Sequence, residues 1–321
     1  MRKLTILLYF AFFLAGITTA KGKPGFLKYS NDQWVDSLMK TLTPDQKIGQ
    51  LFMIQAYSTQ KSQKTEELIR QINQFQVGGV IFMQGGPLAQ SRISNCFQQA
   101  SKVPLLIAID GETGLGFRLD STLNYPVQMA LGAIADDTLI YRMGFEIGQQ
   151  FRRLGVHMNM APVSDININP SNPVISYRSF GEYKMQVARK SWLYASGMQD
   201  AGLLATAKHF PGHGFVKADS HVDMPIDKRS LKAILKEDAK PYAWLNNELS
   251  AVMPAHVIYP KVDARPAGFS RTWIQDILRQ QLEFTGAVFS DDLSMAGARV
   301  LDGQPISFTQ GALAALNAGC D

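Results

Sequence analysis

The run Lys208-His209-Phe210-Pro211-Gly212-His213-Gly214, with Asp219-Ser220-His221 just beyond it, is the densest cluster of groups that could do chemistry. Three of the five histidines fall there. Three kinds of behaviour fit such a run. His209, His213 and His221 could ligate a metal, since a His-x-x-x-His spacing suits zinc when both rings share a helical face. Pro211 and Gly212 lie between the first two and work against a continuous helix. The imidazoles could also be ordinary loop residues. In the third reading the loop carries acid–base chemistry. Asp219 and His221 are close enough in sequence to hydrogen-bond, and a carboxylate on an imidazole fixes its tautomer and raises its basicity. A second cluster, Phe289-Ser290-Asp291-Asp292, ends an apolar run in adjacent acids. Burying such acids is costly unless they face a polar cavity. Asp292 could simply cap the segment that follows, which leaves Asp291 as the better candidate for function.

These residues need elements to position them. Short apolar runs alternate with longer amphipathic ones along the chain. The pattern predicts strands at Gln50–Ala56, Gly79–Met83, Leu105–Asp110, His157–Pro162, Leu204–His209, Ala251–His256 and Ala287–Asp291. Between and after them it predicts helices at Thr65–Phe75, Leu139–Leu154, Lys184–Ala201, Leu231–Asn246, Arg271–Leu282 and Phe308–Asn317, with Ser230 and Ser270 as N-caps and Gly319 as a C-cap. Strands alternating with helices mean parallel pairing through helical crossovers. The absence of a linker favours one (β/α)8 barrel, of the TIM type, over two domains. A doubly wound sheet usually carries a Gly-rich phosphate loop after its first strand, and Tyr57-Ser58-Thr59-Gln60 is not one. The polar exceptions, Asp110, Asp165, Lys208, His209, His256 and Asp291, gather at strand C-terminal ends. Catalytic groups collect at that face of a barrel.

The composition is that of a globular chain: 321 residues, 46% hydrophobic and 18% charged. The net charge of +5 comes with no dense basic run, so nucleic acid is not an expected partner. Two cysteines, Cys96 and Cys320, supply neither a disulfide scaffold nor a cysteine-only zinc site. Arg2 and Lys3 precede the uncharged run Leu4–Ile17, which is followed by Thr18, Thr19 and Ala20. Residues 1–20 therefore read as a secretory leader cut after Ala20, with a retained membrane anchor as the competing reading. The expectation is an exported protein, periplasmic or extracellular, with no stable membrane insertion after cleavage. Residues 21–321 read as one catalytic barrel.

Seven stretches carry a resemblance. They are AIDGETG (108–114), APVSDI (161–166), RSFGE (178–182), KHFPGHG (208–214), DSHVDMP (219–225), MPAHVIYP (253–260) and FSDDLSM (289–295). In this order they make the chain similar to bacterial β-N-acetylglucosaminidases of glycoside hydrolase family 3, from about Ile48 to the end. The resemblance implies a (β/α)8 barrel that removes terminal β-linked GlcNAc from peptidoglycan fragments or related glycans. It implies Asp291 as nucleophile, His221 as general acid/base and Asp219 as its partner. It implies Asp110, Arg178, Lys208 and His209 as groups that hold the sugar, with Arg118 a further one, although the usual Gly-Gly-Arg stretch reads Gly114-Leu115-Gly116. His213 would shape the loop. Neither a metal nor an organic cofactor is implied. The partner would be a GlcNAc-containing glycan or muropeptide.

The chemistry is coherent. A retaining glycosidase needs a carboxylate to attack the anomeric carbon and an acid to protonate the leaving oxygen. A histidine base is neutral and does not repel an anionic acceptor, so a phosphorylase with the same site is the alternative activity. The strand count is one short of eight, so the barrel is expected to be truncated before its last strand: either the sequence is a fragment of a longer protein, or the barrel is left open with two exposed edges. A truncated barrel also admits a catalytically inactive, sugar-binding chain.

Overall fold

The computed structural model describes residues 32–246 and 248–321, so the leader read at 1–20 lies outside the described residues. Seven parallel strands form one curled sheet in sequence order: β1 Met53–Ala56, β2 Gly79–Phe82, β3 Leu106–Ile109, β4 Met158–Asn159, β5 Leu204–Phe210, β6 Ala251–Pro254 and β7 Ala287–Val288. Each falls inside its expected segment except β5, which runs one residue past His209 to Phe210. The runs are mostly apolar, with Gln55, Asn159, Thr206, Lys208 and His209 as the polar exceptions, because a parallel strand is covered on both faces.

Side-chain alternation separates two cores. Met53, Ile81, Leu106, Ala108, Met158, Met160, Leu204, Ala251, Met253, Ala287 and Phe289 pack together as one cluster. Their neighbours of opposite parity, among them Ala56, Val80, Phe82, Ile107, Ile109, Ala205, Ala207, Val252 and Val288, join the larger core with the helices. The first cluster is the barrel interior. Methionine suits it, because an unbranched thioether fills irregular space.

Helices 62–75, 87–100, 137–153 and 184–200 form the crossovers after β1, β2, β3 and β4. The expected helix at 231–246 is broken into Leu231–Lys236 and Lys240–Leu245. Pro241 opens the second piece, and the buried Asp238 is drawn between the two to Arg229. Ser230 and Ser270 accept the amides of Ala233 and Trp273 as first-turn caps. The helix expected at 271–282 is wound as a π-helix over Thr272–Gln281. Gly319 closes the helix Phe308–Ala318 at φ 110°, a conformation natural to glycine.

Among the described residues no eighth strand joins this sheet, so β1 and β7 are both its edges; the remaining short strands form two separate hairpins. Two contacts lie on the open side. Gln55 Nε2 donates to Asp292 Oδ2 at 2.8 Å, tying β1 to the segment after β7. The Asp321 N–H donates to the Val288 carbonyl at 2.9 Å, and the Val288 N–H to Asp321 Oδ2 at 2.8 Å, so Asp321 occupies a rung beside β7. No helix among the described residues is long and apolar enough to cross a membrane.

Candidate active site

The polar residues at the strand ends assemble into three connected groups. The first joins β3 to β5. Lys208 Nζ reaches Asp110 Oδ1 at 2.7 Å and Glu112 Oε1 at 2.9 Å. Arg178 grips Glu112 with both Nε, at 3.0 Å, and Nη2, at 2.6 Å. Arg118 Nη2 donates to Asp110 Oδ2 at 2.8 Å. Lys208 and Glu112 have only 3% of their side chains exposed, whereas Asp110, Arg178 and Arg118 keep 17%, 18% and 22%. The buried pair is therefore a base on which the outer three stand with hydrogen-bonding capacity to spare, as a polyhydroxylated ligand requires. Burial alone would raise the Glu112 pKa, but Lys208 and Arg178 outweigh it and hold the carboxyl far below its ordinary range. Burial pulls Lys208 down, and Asp110 and Glu112 more than restore it, so the ammonium stays charged.

The second group places the nucleophile candidate. Asp165, fully buried, uses Oδ2 to accept both the His209 N–H at 3.1 Å and the ring Nδ1 at 2.7 Å, while Oδ1 accepts the His213 N–H at 2.6 Å. With Nδ1–H donating, the His209 ring is turned so that Nε2 stands 4.0 Å from Asp291 Oδ2. Asp291 lies just past β7 and accepts the Asp292 N–H on Oδ1. Burial raises its pKa, but His209, His256, the Asp292 N–H and Lys208 together bring it below the ordinary carboxylate value. His256, past the end of β6, is fully buried, which keeps its ring toward the neutral form against the pull of Asp291.

The third group is the loop after β5. Asp219 Oδ1 accepts both the His221 N–H at 2.8 Å and the ring Nδ1 at 2.7 Å, which leaves Nε2 available. The His221 side chain is 58% exposed and Asp219 33%. The Asp219 pKa is pushed up by partial burial and brought below its ordinary value by the His221 amide and ring. Between the two, Ser220 is buried; its Oγ meets His213 Nε2 at 3.0 Å and its carbonyl accepts the Gly297 N–H at 2.9 Å. The tip of the loop therefore rests on the segment that follows Asp291. Burial, with His209 nearby, lowers the His213 pKa to about 4, so that ring is neutral.

The three loop histidines thus take three different partners, Asp165, Ser220 and Asp219. Among the described residues no group of three or more His, Cys, Asp or Glu side chains is placed to hold a metal ion. Asp110, Arg118, Arg178 and Lys208 share one network, His209 and Asp291 a second, and Asp219 and His221 a pair. Glu112 and Asp165 are the members that the sequence had not assigned a role. Glu112 stands in the AIDGETG stretch as an acid two residues past Asp110, and Asp165 is an acid in the APVSDI stretch that follows β4. An apolar cavity of about 490 Å³, lined by Ile48, Phe52, Ile54, Phe75 and Val77 among others, contains none of these residues.

Residues 43–321 fit the glycosyl hydrolase family 3 N terminal domain. The chain belongs to glycosyl hydrolase family 3. This family 3 barrel is 43% identical over 269 residues to a beta-hexosaminidase of Bordetella parapertussis, covering 80% of this chain and 75% of that protein. It superimposes on a family 3 beta-N-acetylglucosaminidase from Paenibacillus sp. with a TM-score of 0.80 at 37% identity, over 88% of this chain and 54% of that one. The chain thus spans about half the length of the Paenibacillus enzyme. NagZ from Neisseria gonorrhoeae, solved with N-trifluoroacetyl-D-glucosamine, gives a TM-score of 0.73 at 31% identity, over 84% of this chain and 79% of that one. The family 3 barrel is thus similar to glycoside hydrolases named for N-acetylhexosamine substrates.

Proposed function

We propose that this chain is a retaining exo-β-N-acetylglucosaminidase that removes terminal β-linked GlcNAc from peptidoglycan fragments or related glycans. The observation that carries the reading is the Asp219–His221 pair: the carboxylate holds Nδ1 at 2.7 Å, leaving Nε2 as the one ring nitrogen free to exchange a proton with substrate.

In the first step the Asp291 carboxylate attacks the anomeric carbon as the glycosidic C–O bond breaks. The His221 imidazolium, stabilised by Asp219, gives its Nε2 proton to the departing oxygen. In the second step Nε2 takes a proton from water, the oxygen of that water attacks the anomeric carbon, and the bond to Asp291 breaks. Asp291 is kept ionised for attack by the surrounding groups, Lys208 and the Asp292 N–H among them, that lower its pKa. Asp110, Arg118, Arg178, Lys208 and His209 hold the sugar hydroxyls. The leader at 1–20 would send the chain out of the cytoplasm, where such glycans lie; N-terminal sequencing of protein from its native host should begin near Lys21.

The test is turnover of an aryl β-GlcNAc substrate in phosphate buffer with analysis of the sugar product. Free GlcNAc is the expected result. GlcNAc-1-phosphate would make the chain a phosphorylase, and sugar binding without turnover would make it an inactive binding protein.

A further inference from the structure

The exposed His221 must be delivered to one place beside the reacting bond, yet its side chain has one partner of its own, Asp219. The placement has to come from the loop. At the entrance to that loop, Gly212 is held by Tyr259, whose hydroxyl donates to its carbonyl at 2.7 Å. Gly212 has φ 150°, and a Cβ there would lie 2.5 Å from Asp238 Cβ, so Asp238 packs directly on this turn. At the exit, the Ile258 N–H donates to the Pro225 carbonyl and the Asp227 N–H to the Ile258 carbonyl, both at 2.9 Å. Residues 217–224 span these fixed points and carry the Asp219–His221 pair.

One side chain touches Asp227 at the exit, Asp238 packed on the entrance turn, and the loop between them. Arg229 donates to Asp227 Oδ2 through Nε, at 3.0 Å, and Nη2, at 2.6 Å, and to Asp238 Oδ1 through Nη2 at 2.8 Å. Its guanidinium carbon lies 3.8 Å from the centroid of the Phe215 ring, stacked over its face. Phe215 belongs to the loop, between His213 and Asp219, and is 37% exposed. The ring is not a core residue, so its contact with Arg229 matters for where the loop sits more than for whether the barrel folds.

We propose that Arg229, gripping Asp227 and Asp238 and stacking on Phe215, is a positioning residue that sets where the acid/base loop holds His221. The proposal rests on the reading of His221 as the general acid. Arg229 does not touch substrate; it joins the entrance, the first half and the exit of the loop into one rigid frame. An arginine suits the task better than a lysine, because its planar fork can hold two carboxylates while its face covers a ring.

The experiment compares Phe215→Leu, Phe215→Tyr and Arg229→Lys with the unaltered protein and with His221→Ala. Each is assayed on an activated aryl β-GlcNAc and on a GlcNAc disaccharide, whose leaving group needs a proton, and each is melted. Misplacing a catalytic group by about an ångström can cost on the order of 100-fold. Phe215→Leu and Arg229→Lys should therefore lose about 10- to 100-fold in kcat on the disaccharide, with KM little changed and less than about 3-fold lost on the aryl substrate. Phe215→Tyr, which keeps the stacked ring, should restore the disaccharide rate, and the melt of Phe215→Leu should stay close to that of the unaltered protein. Equal losses of Phe215→Leu on both substrates, or failure of Phe215→Tyr to restore the rate, would overturn the frame. If His221→Ala itself loses both substrates equally, the acid/base reading fails first, so the two failures can be told apart.

Discussion

Asp165 holds His209 twice with a single oxygen, by the backbone N–H and by the ring Nδ1, and so points the far ring nitrogen at Asp291, 4.0 Å away. The pair links the fourth strand's end to the fifth and aims at the seventh. It is a buried acid and an imidazole, like the Asp219–His221 pair, but in a dry place, with 0% and 8% of the side chains exposed against 33% and 58%. The exposed pair suits proton exchange with substrate and solvent, and the buried one suits holding a ring still beside the nucleophile.

Asp165→Asn should therefore impair catalysis through His209. The carboxylate accepts three hydrogen bonds, two from backbone amides, and an amide side chain presents only one accepting oxygen. The stability loss should be about 1–3 kcal/mol per group left unpaired. kcat should fall by about 10- to 100-fold as Nε2 loses its aim. Urea melts and turnover measured together check this; unchanged kcat would show that Asp165 only supports the fold.

Glu112→Ala should destabilise the barrel far more than removal of a surface charge. Glu112 and Lys208 are 3% exposed, and loss of the carboxylate leaves Lys208 and Arg178 without their shared partner. Breaking such a buried pair typically costs about 3–5 kcal/mol. Arg265 and Asp302 form an equally short pair, but with 47% and 54% exposure. Surface pairs of that kind contribute about 0–1 kcal/mol. Chemical denaturation of Glu112→Ala beside Arg265→Ala measures the contrast.

Asp238 should give the stability a pH dependence of unusual sign. Its carboxyl shares Arg229 with Asp227, and burial of the surplus negative charge raises its pKa to about 6 against the pull of Arg229. A raised carboxyl pKa means that the folded state holds the proton more tightly. The contribution is present in full below the unfolded value, near 4, and is lost as pH rises through about 6. Asp165, Asp219 and Asp291, with lowered values, act in the opposite sense: their contribution is present above about 4 and is lost as pH falls below it. Between pH 5 and 7 the Asp238 effect should thus stand alone among these acids. His213, with its pKa lowered to about 4, adds a rise with pH over part of the same window, so Asp238→Asn, by removing the opposing fall, should turn the slope of melting temperature against pH in the positive direction; an unchanged slope would show that Arg229 keeps Asp238 ionised throughout.

The seven strands were legible in the sequence because a parallel strand covered on both faces is a mostly apolar run, and Asp110, Lys208, His209 and Asp291 were legible as polar interruptions at their ends. The Asp219–His221 pair was legible because its members are two residues apart. The partners of Glu112 and Asp165 were not, because Arg178 lies 66 residues from Glu112 and His209 lies 44 from Asp165. Barrel closure, and not local pattern, brings those residues together. The break at Asp238 is more local: Arg229, nine residues away, grips Asp238, and Pro241, readable in the sequence, opens the second piece. The helices Gln33–Thr41 and Pro44–Gly49 escaped although Thr43 and Gln46 form a capping box whose spacing is written in the sequence.

The central claim is that Asp291 attacks the sugar. It is tested most directly by trapping the glycosyl-enzyme with a fluorinated glycosyl inactivator, digesting the protein and locating the modified residue by mass spectrometry. The account predicts one sugar on the peptide that contains Asp291, with fragmentation placing it on that residue, and no trapping in Asp291→Asn. A sugar on Asp292 or Asp165, or trapping that persists in Asp291→Asn, would contradict it.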